Sequence, residues 1–252
     1  MEFSICIDSV FNGIDSLEAL DAIRDYGFCA YEFWFWKNRE LEAMRKKADR
    51  LGMSCRGICT SNFKLTRPED QKEFLEGLEE SIIAAKTIGA SCLITQGGPD
   101  TGARASFQHR SIAAGLKAAA TILKGTGVTL LLEPLNRKIN HPDAYLESSD
   151  EGFELVREAD SENVKLLFDI YHQQISEGDV IRRMTANAGL IGHVHCAGNP
   201  GRHELDTGEL DYPRIFKALK EAGYNGCLGI EYFPAEEPEA GLRRLREACR
   251  SL

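Results

Sequence analysis

A repeated unit runs along most of this chain: an amphipathic stretch, one glycine, one to three further residues, and then a short apolar run. A glycine directly after a helix, followed closely by a strand, is typical of the helix-to-strand loops of α/β proteins. The unit occurs at Gly27 before residues 31–34, Gly52 before 55–58, Gly89 before 91–94, Gly127 before 129–132, and Gly223 before 227–230. The pattern therefore predicts helices and strands in alternation.

Three more apolar runs, at residues 3–8, 164–168 and 190–194, fit the same rhythm and bring the number of predicted strands to eight. Dividing the 252 residues among eight units gives about 31 residues each, which is the size of a strand–helix repeat. This count favours an α/β fold, a closed (β/α)8 TIM barrel that forms a single domain over residues 1–252. A doubly wound open sheet is the alternative, but its glycine-rich phosphate-binding motif does not follow the first strand.

Composition and charge exclude several classes of protein. Apolar residues make up 43% of the chain and charged residues 27%, so the chain can bury a core and is neither a disordered tail nor a fibre. The net charge of −9 disfavours nucleic acid or an anionic membrane as a partner. We find no signal-peptide pattern and no apolar run of membrane-spanning length. The eight cysteines form no C-x-x-C pair and are interpreted as buried free thiols, so we expect a cytoplasmic protein.

Four consecutive predicted strands end in polar residues of the kind that carry out chemistry. Glu133 follows the fifth strand, Asp169 the sixth, His195 the seventh and Glu231 the eighth. Their separations of 36, 26 and 36 residues are each close to one strand–helix unit. Because the active sites of such barrels lie at the carboxyl ends of the strands, we expect these four side chains to converge at the barrel mouth.

Three carboxylates and one imidazole at one point need a cation, since like charges at close range repel one another. Oxygen-rich ligation with one histidine suits Mn²⁺ or Mg²⁺, and Co²⁺ or Zn²⁺ also fit. Glu133 and Glu231 are the expected acid/base pair, while Asp169 and His195 serve as ligands only. A metal that binds a carbonyl and its adjacent hydroxyl acidifies the carbon-bound proton, which two carboxylates can move through an enediolate. The pattern predicts isomerase or epimerase chemistry on a small hydroxy-carbonyl compound.

Aromatic and histidine residues near these strand ends supply further candidates. Trp36, the last aromatic residue of the cluster that ends the second strand, is the predicted pocket wall, with core packing as the alternative. His193 shares a strand face with His195, and we expect it to support that residue or contact substrate rather than bind metal. His109 and His141 have no partner at a meaningful spacing and are interpreted as surface residues.

The strand-end motifs resemble a known family. They comprise Glu-Pro-Leu-Asn at 133–136, Phe-Asp-Ile-Tyr-His-Gln-Gln at 168–174, Gly-His-Val-His at 192–195, Pro-Gly-Arg-His-Glu at 200–204, Thr-Gly-Glu at 207–209, and Gly-Ile-Glu-Tyr at 229–232. The chain resembles the hydroxypyruvate isomerase family of the xylose isomerase-like barrels. The resemblance implies a metal bound by the four strand-end residues, and it implies that His172 and Arg202 contact substrate oxygens. Such barrels often pair, so a homo-oligomer is expected as well.

The resemblance leaves the subfamily open. It implies an isomerase of the hydroxypyruvate/tartronate semialdehyde or 2-oxo-tetronate type, or else a ketose 3-epimerase. His195 favours the epimerases, because the isomerases often have glutamine there. Ile139, where ketohexose epimerases carry a glutamate, and the loop at 200–204 favour the isomerases. A phosphodiesterase similar to endonuclease IV needs a histidine-rich site and a basic groove, which this acidic chain does not suggest. A non-catalytic sugar-binding barrel is the third hypothesis.

Overall fold

Eight parallel strands close into a barrel in the computed structural model, which describes residues 1–249 without the side chain of Cys249. Each strand pairs with the next along the chain, and the eighth pairs with the first. The strands are β1 (Glu2–Cys6), β2 (Ala30–Phe33), β3 (Ser54–Cys59), β4 (Cys92–Gln96), β5 (Thr129–Glu133), β6 (Val164–Asp169), β7 (Ile191–Cys196) and β8 (Cys227–Ile230). The predicted barrel is confirmed, and the pairing of β8 with β1 excludes the open sheet.

Helices follow the strands and cover the outside of the barrel. They are α1 (Ile7–Val10), α2 (Ser16–Asp25), α3 (Leu41–Leu51), α4 (Gln71–Ile88), α5 (Ala105–Leu123), α6 (Ser149–Ala159), α7 (Ile170–Ser176), α8 (Val180–Ala186), α9 (Tyr212–Glu221) and α10 (Pro238–Cys249). The predicted first strand extends two residues too far, because Ile7 and Asp8 already belong to α1. Within residues 1–249 we find no helix that is both long and apolar enough to cross a bilayer.

The repeated glycines have the backbone conformation that the sequence pattern implies. Gly52 ends α3 with a φ of 65° and Gly89 ends α4 with a φ of 79°, a left-handed conformation in which other residues are strained. A largely buried strand begins within three residues of each of these glycines. In β5, for example, Leu130, Leu131 and Leu132 are all fully buried. Glycine turns of this kind therefore set where the following strand begins, and the apolar run sets how long the strand is.

The cysteines that the structure describes are free. Seven have described side chains and form no disulfide among themselves, while the prediction for Cys249 lies outside the described side chains. Cys6, Cys55, Cys59 and Cys196 are buried as expected, whereas Cys29 is exposed. Burial raises the pKa of each of these four thiols, so they stay protonated within the core.

His109 joins two outer helices, although the sequence offered no partner for it. Its Nδ1 lies 2.9 Å from Glu151 and its Nε2 lies 3.0 Å from Glu158, so α5 is tied to α6. Burial opposes the charged ring, but the two carboxylates outweigh it and raise the pKa of His109 above its usual value. The stabilisation is therefore fully present below the unfolded-state pKa of about 6.5 and is lost as pH rises through the higher folded-state value.

We expect His109→Gln to lower the free energy of unfolding at pH 5.5 by less than about 1 kcal/mol, as for solvent-screened ion pairs. At pH 9 the loss should be close to zero, because the wild-type ring is then neutral. Urea unfolding of both proteins at the two pH values checks this. A loss that is equal at both values would mean that packing, rather than charge, holds His109 in place.

Candidate metal centre and active site

The four polar residues predicted from the strand ends lie together at the barrel mouth. Glu133 ends β5, Asp169 ends β6, His195 is the penultimate residue of β7, and Glu231 directly follows β8. One potential ligand atom from each lies within 4.8 Å of the other three, and all four residues are buried. The structure therefore brings together the whole set that the sequence spacing selected.

Strand register explains this convergence. Asp169 pairs with His195 across β6 and β7, and His195 pairs with Gly229 across β7 and β8. Side chains alternate between the two faces of a strand, so Glu231, two residues after Gly229, returns to the same interior face one step nearer the mouth. A shift by one residue in any of these strands would turn its ligand away from the others.

His195 carries the observation that fits a cation to this cluster. Its Nδ1 lies 3.3 Å from Oε2 of Glu231 and 3.9 Å from Oε1 of Glu133, yet this buried nitrogen has no aligned hydrogen-bond partner among the described residues. A neutral imidazole nitrogen and three carboxylates are a donor set that Mn²⁺, Mg²⁺, Co²⁺ or Zn²⁺ accept. The residues present therefore fit a divalent metal.

Charge is unevenly distributed over the cluster. Burial raises the pKa of Glu133 to about 8, and the neighbouring charges of Glu231 and Asp169 act in the same direction. Burial also opposes the charge of Glu231, but His195 and Arg202 outweigh it and hold the pKa of that carboxyl well below its usual range. Glu231 and Glu32 likewise outweigh burial and raise the pKa of His195 well above normal. These acids can all ionise together only when further positive charge is supplied.

Arg202, expected to contact substrate, lies at this cluster. Its guanidinium contacts Oε2 of Glu231 and lies 3.4 Å from Oδ2 of Asp169. The backbone there is left-handed, with a φ of 57°, and the carbonyl of Arg202 accepts a hydrogen bond from the amide of Phe233 at 2.8 Å. The guanidinium carbon lies 5.3 Å from the ring centroid of Tyr171. The loop after β7 thus holds a largely buried cation, 11% exposed, beside the carboxylates.

His172, the other predicted substrate contact, is buried and neutral. Burial lowers its pKa to about 4. The side-chain amide nitrogen of Asn136 lies 2.5 Å from Nδ1 of His172, and the amide oxygen of Asn136 accepts hydrogen bonds from the backbone amides of Ile139 and Asn140. The amide orientation makes Nδ1 the acceptor, which leaves the hydrogen on Nε2. That Nε2 lies 3.5 Å from Oδ2 of Asp169, beside the cluster.

The cluster opens into a cavity of about 210 Å³ whose aromatic lining includes Trp34 but not Trp36. Trp34 lines the cavity, and its indole N–H donates to Oε1 of Glu231 at 2.5 Å. Trp36 is not among the lining residues, and its indole N–H donates instead to the carbonyl of Cys59 at 3.0 Å. The difference arises because β2 ends at Phe33, so strand alternation cannot be extended as far as Trp36.

An open groove of about 580 Å³ continues from this cavity. The two share Phe63, Gln96, Leu135 and His141 as lining residues. His141 was interpreted as a surface residue, but it is partly buried, and its ring centroid lies 5.2 Å from that of His172. No sequence spacing could have revealed this, because the loop after β5 brings His141 back over the strand ends.

Sequence reasoning also missed Glu32. This residue is buried in β2, with Oε2 at 2.9 Å from Nε2 of His193 and Oε1 at 2.9 Å from Nε2 of His195. Burial opposes its charge, but the two histidines outweigh that effect and lower the pKa of Glu32 to about 2. His193 is directed at Glu32 and does not line the cavity, so of its two expected roles this position favours support over substrate contact. The sequence feature that could have indicated Glu32 is its position as the one acidic residue within the aromatic run at 31–36.

Comparison with known proteins places the chain in a class. The profile of the xylose isomerase-like TIM barrel family matches residues 20–252, so the chain belongs to that family. Hydroxypyruvate isomerase of Escherichia coli (strain K12) is 29% identical over 254 residues, which cover 96% of this chain and 97% of that protein. The 2-oxo-tetronate isomerase of Cupriavidus necator is 41% identical over 128 residues, or 51% of this chain and 49% of that protein.

A solved structure named AP endonuclease, family 2, from Brucella melitensis covers 98% of both chains with a TM-score of 0.93 and 26% identity. Among the described residues, two groups could hold a metal: the four strand-end residues, and Glu32 with His193 and His195. Together they contain only two histidines, fewer than the histidine-rich phosphodiesterase hypothesis requires. The chain is an isomerase of the hydroxypyruvate isomerase-like kind, and the family recognised from the strand-end motifs is confirmed.

Proposed function

We propose that this protein is a metal-dependent isomerase that interconverts the aldehyde and ketone forms of a small hydroxy acid. Hydroxypyruvate/tartronate semialdehyde and 2-oxo-tetronate are the substrate types proposed. The observation that carries the proposal is the placement of two carboxylates, Glu133 from β5 and Glu231 from β8, at one buried cluster that opens into a small cavity. One such group can remove a proton from one carbon while the other, when protonated, delivers a proton to the next.

The metal would be held by Glu133, Asp169, His195 and Glu231, with Mn²⁺ or Mg²⁺ preferred and Co²⁺ or Zn²⁺ acceptable. When bound, a divalent cation supplies the positive charge that polarises a substrate carbonyl and its adjacent hydroxyl. Side chains of the protein supply the proton transfer and the contacts to substrate. The cavity of about 210 Å³ is smaller than the ~300–1,000 Å³ of drug-sized sites, as a three- or four-carbon acid requires.

Glu133 and Glu231 exchange the substrate proton in this proposal. One carboxylate takes the carbon-bound proton to give an enediolate, the hydroxyl proton passes to the former carbonyl oxygen, and the other carboxyl group, protonated beforehand, gives its proton to the adjacent carbon. The reverse reaction exchanges the roles of the two carboxyl groups. The indole N–H of Trp34 holds Oε1 of Glu231 and leaves Oε2 directed at the cluster. Arg202 binds the substrate carboxylate, and the Nε2–H of His172 donates to a substrate oxygen.

A ketose 3-epimerase is the second candidate, favoured by the open groove that continues from the cavity and offers room for a longer sugar. The isomerase relatives argue against a non-catalytic sugar-binding barrel. Homo-oligomeric assembly and a cytoplasmic location stay predictions from the sequence.

Incubation with three- and four-carbon keto acids and with free ketoses, in deuterated water with Mn²⁺, tests the proposal. We expect deuterium at the carbon next to the carbonyl of a keto acid, together with the aldehyde isomer as product. Metal-free protein in chelator is the control and should give neither. Exchange confined to C3 of a ketose would identify the epimerase instead, and no exchange with any compound would refute both.

A further inference from the structure

Glu32, His193 and His195 form a buried trio behind the proposed metal cluster. No side chain in the trio is more than 5% exposed. The two carboxylate oxygens of Glu32 are divided between the histidines, with one at 2.9 Å from each Nε2. The His193 contact is an aligned hydrogen bond, whereas the His195 contact is an ion pair whose N–H direction is not aligned on the oxygen. The imidazole rings meet edge to face, with centroids 5.1 Å apart.

The barrel wall leaves space for this trio at Gly229. A Cβ built on Gly229 would lie 2.5 Å from Oε1 of Glu32, 2.5 Å from Cδ2 of His195 and 2.7 Å from Nε2 of His193. All three distances are shorter than real Cβ contacts, so β8 can pass here only without a side chain. The trio therefore occupies interior space that strands β2, β7 and β8 jointly leave open.

Orientation is the property that these contacts control. With Nε2 of His195 held against Glu32, Nδ1 is the ring atom that faces Glu133 and Glu231. A histidine ligand generally donates its other ring N–H to a carboxylate, which fixes both the tautomer and the ring orientation. His193 supplies a donor to the second Glu32 oxygen, which a buried carboxylate would otherwise lack.

We propose that Glu32 is a positioning residue that holds His195 in the orientation and tautomer needed for Nδ1 to bind the metal, with His193 anchoring its second oxygen. The inference rests on the metal centre of the proposed function, but it concerns a residue outside that ligand set. Glu32 touches neither the cavity nor the substrate in this arrangement, and it acts through His195 alone.

Metal affinity of the purified full chain tests the inference without any assay of activity. Apoprotein titrated with Mn²⁺ and followed by electron paramagnetic resonance gives the Kd and the number of sites. We expect Glu32→Gln to raise the Kd by about 10- to 100-fold, as for other residues that support metal ligands. A glutamine can accept from one histidine only, so it cannot hold both rings in the same tautomer. Glu32→Asp should also weaken binding, because the shorter side chain cannot span both Nε2 atoms.

Glu177→Gln is the matched control. Glu177 is a partly buried carboxylate that contacts Ser148, Ser149 and Arg183 and has no contact with the metal cluster. The Kd of the Glu177→Gln variant for Mn²⁺ should therefore equal that of the wild type. Should Glu32→Gln fail to fold, His193→Phe serves instead, because it removes the anchor of Glu32 and is expected to weaken Mn²⁺ binding several-fold.

A spectroscopic signature separates positioning from a general loss of structure. In the Co²⁺-loaded wild type, the Nε2–H of a ligating His195 should give a paramagnetically shifted proton signal that disappears in deuterated water. Glu32→Gln should abolish or move this signal. An unchanged Kd and signal in folded Glu32→Gln would overturn the inference, as would a second bound Mn²⁺ that disappears with Glu32. Failure of the proposed function would show differently, because the wild type itself would then bind no Mn²⁺.

Discussion

Glu231→Gln is expected to lower kcat for hydroxy-acid isomerisation by about 10³-fold, within the 10²- to 10⁴-fold range of general acid–base catalysis. The glutamine keeps the size and the indole contact of Glu231 but cannot accept the substrate proton. It also removes the negative charge that His195 and Arg202 stabilise. Rates measured at saturating Mn²⁺ separate the lost proton transfer from weaker metal binding.

Glu236→Gln is the control for this change, since Glu236 is exposed and contacts only Arg244 among its described ion pairs. Its kcat should match the wild type. Deuterium in the isomerised product should fall together with kcat in Glu231→Gln. A variant that still forms the isomer at the wild-type rate would remove Glu231 from the proposed acid/base pair and transfer the role to another residue.

Arg202→Lys is expected to reduce kcat/KM by about 10²-fold for a keto acid, near the lower end of the ~2–5 kcal/mol that disrupting a desolvated, hydrogen-bonded charge pair costs. Lysine keeps the positive charge but loses the planar fork that can bind a carboxylate through two parallel hydrogen bonds. A neutral ketose has no carboxylate, so its turnover should fall much less. The ratio of the two effects therefore reports which substrate class the arginine recognises.

The control is Arg214→Lys, because Arg214 is largely exposed on α9 and lies 3.6 Å from Asp211. Steady-state kinetics with one keto acid and one ketose of equal carbon number provide the measurement. Equal losses for both substrates would contradict carboxylate recognition by Arg202 and would assign its effect to its contacts with Glu231 and Asp169 instead.

Much of the candidate site follows from local sequence pattern. Glu133, Asp169, His195 and Glu231 were identifiable because each closes an apolar strand, and parallel strands in a barrel carry their carboxyl ends to one face. Arg202 was identifiable only through its motif, because the loop after β7 folds back onto the cluster and no sequence periodicity predicts the conformation of that loop.

Other parts of the site depended on contacts that cross the barrel. Trp34 and Trp36 are equivalent in a strand pattern, and the choice between them depends on where β2 stops. Glu32 and His193 are 161 residues apart in the chain, and nothing in the spacing of either one predicts their contact. His141 reaches the groove only because the loop after β5 folds over the strand ends.

The barrel, its eight units and the four strand-end side chains are predictable from the sequence, because glycine turns, apolar strands and their polar ends are each encoded within a few neighbouring residues. Tertiary contacts decide instead which tryptophan reaches Glu231, how Arg202 and His172 approach the cluster, and what supports His195. Those features depend on side chains from distant strands that share one buried space, where the hydrogen-bonding demands of each group depend on which others lie beside it.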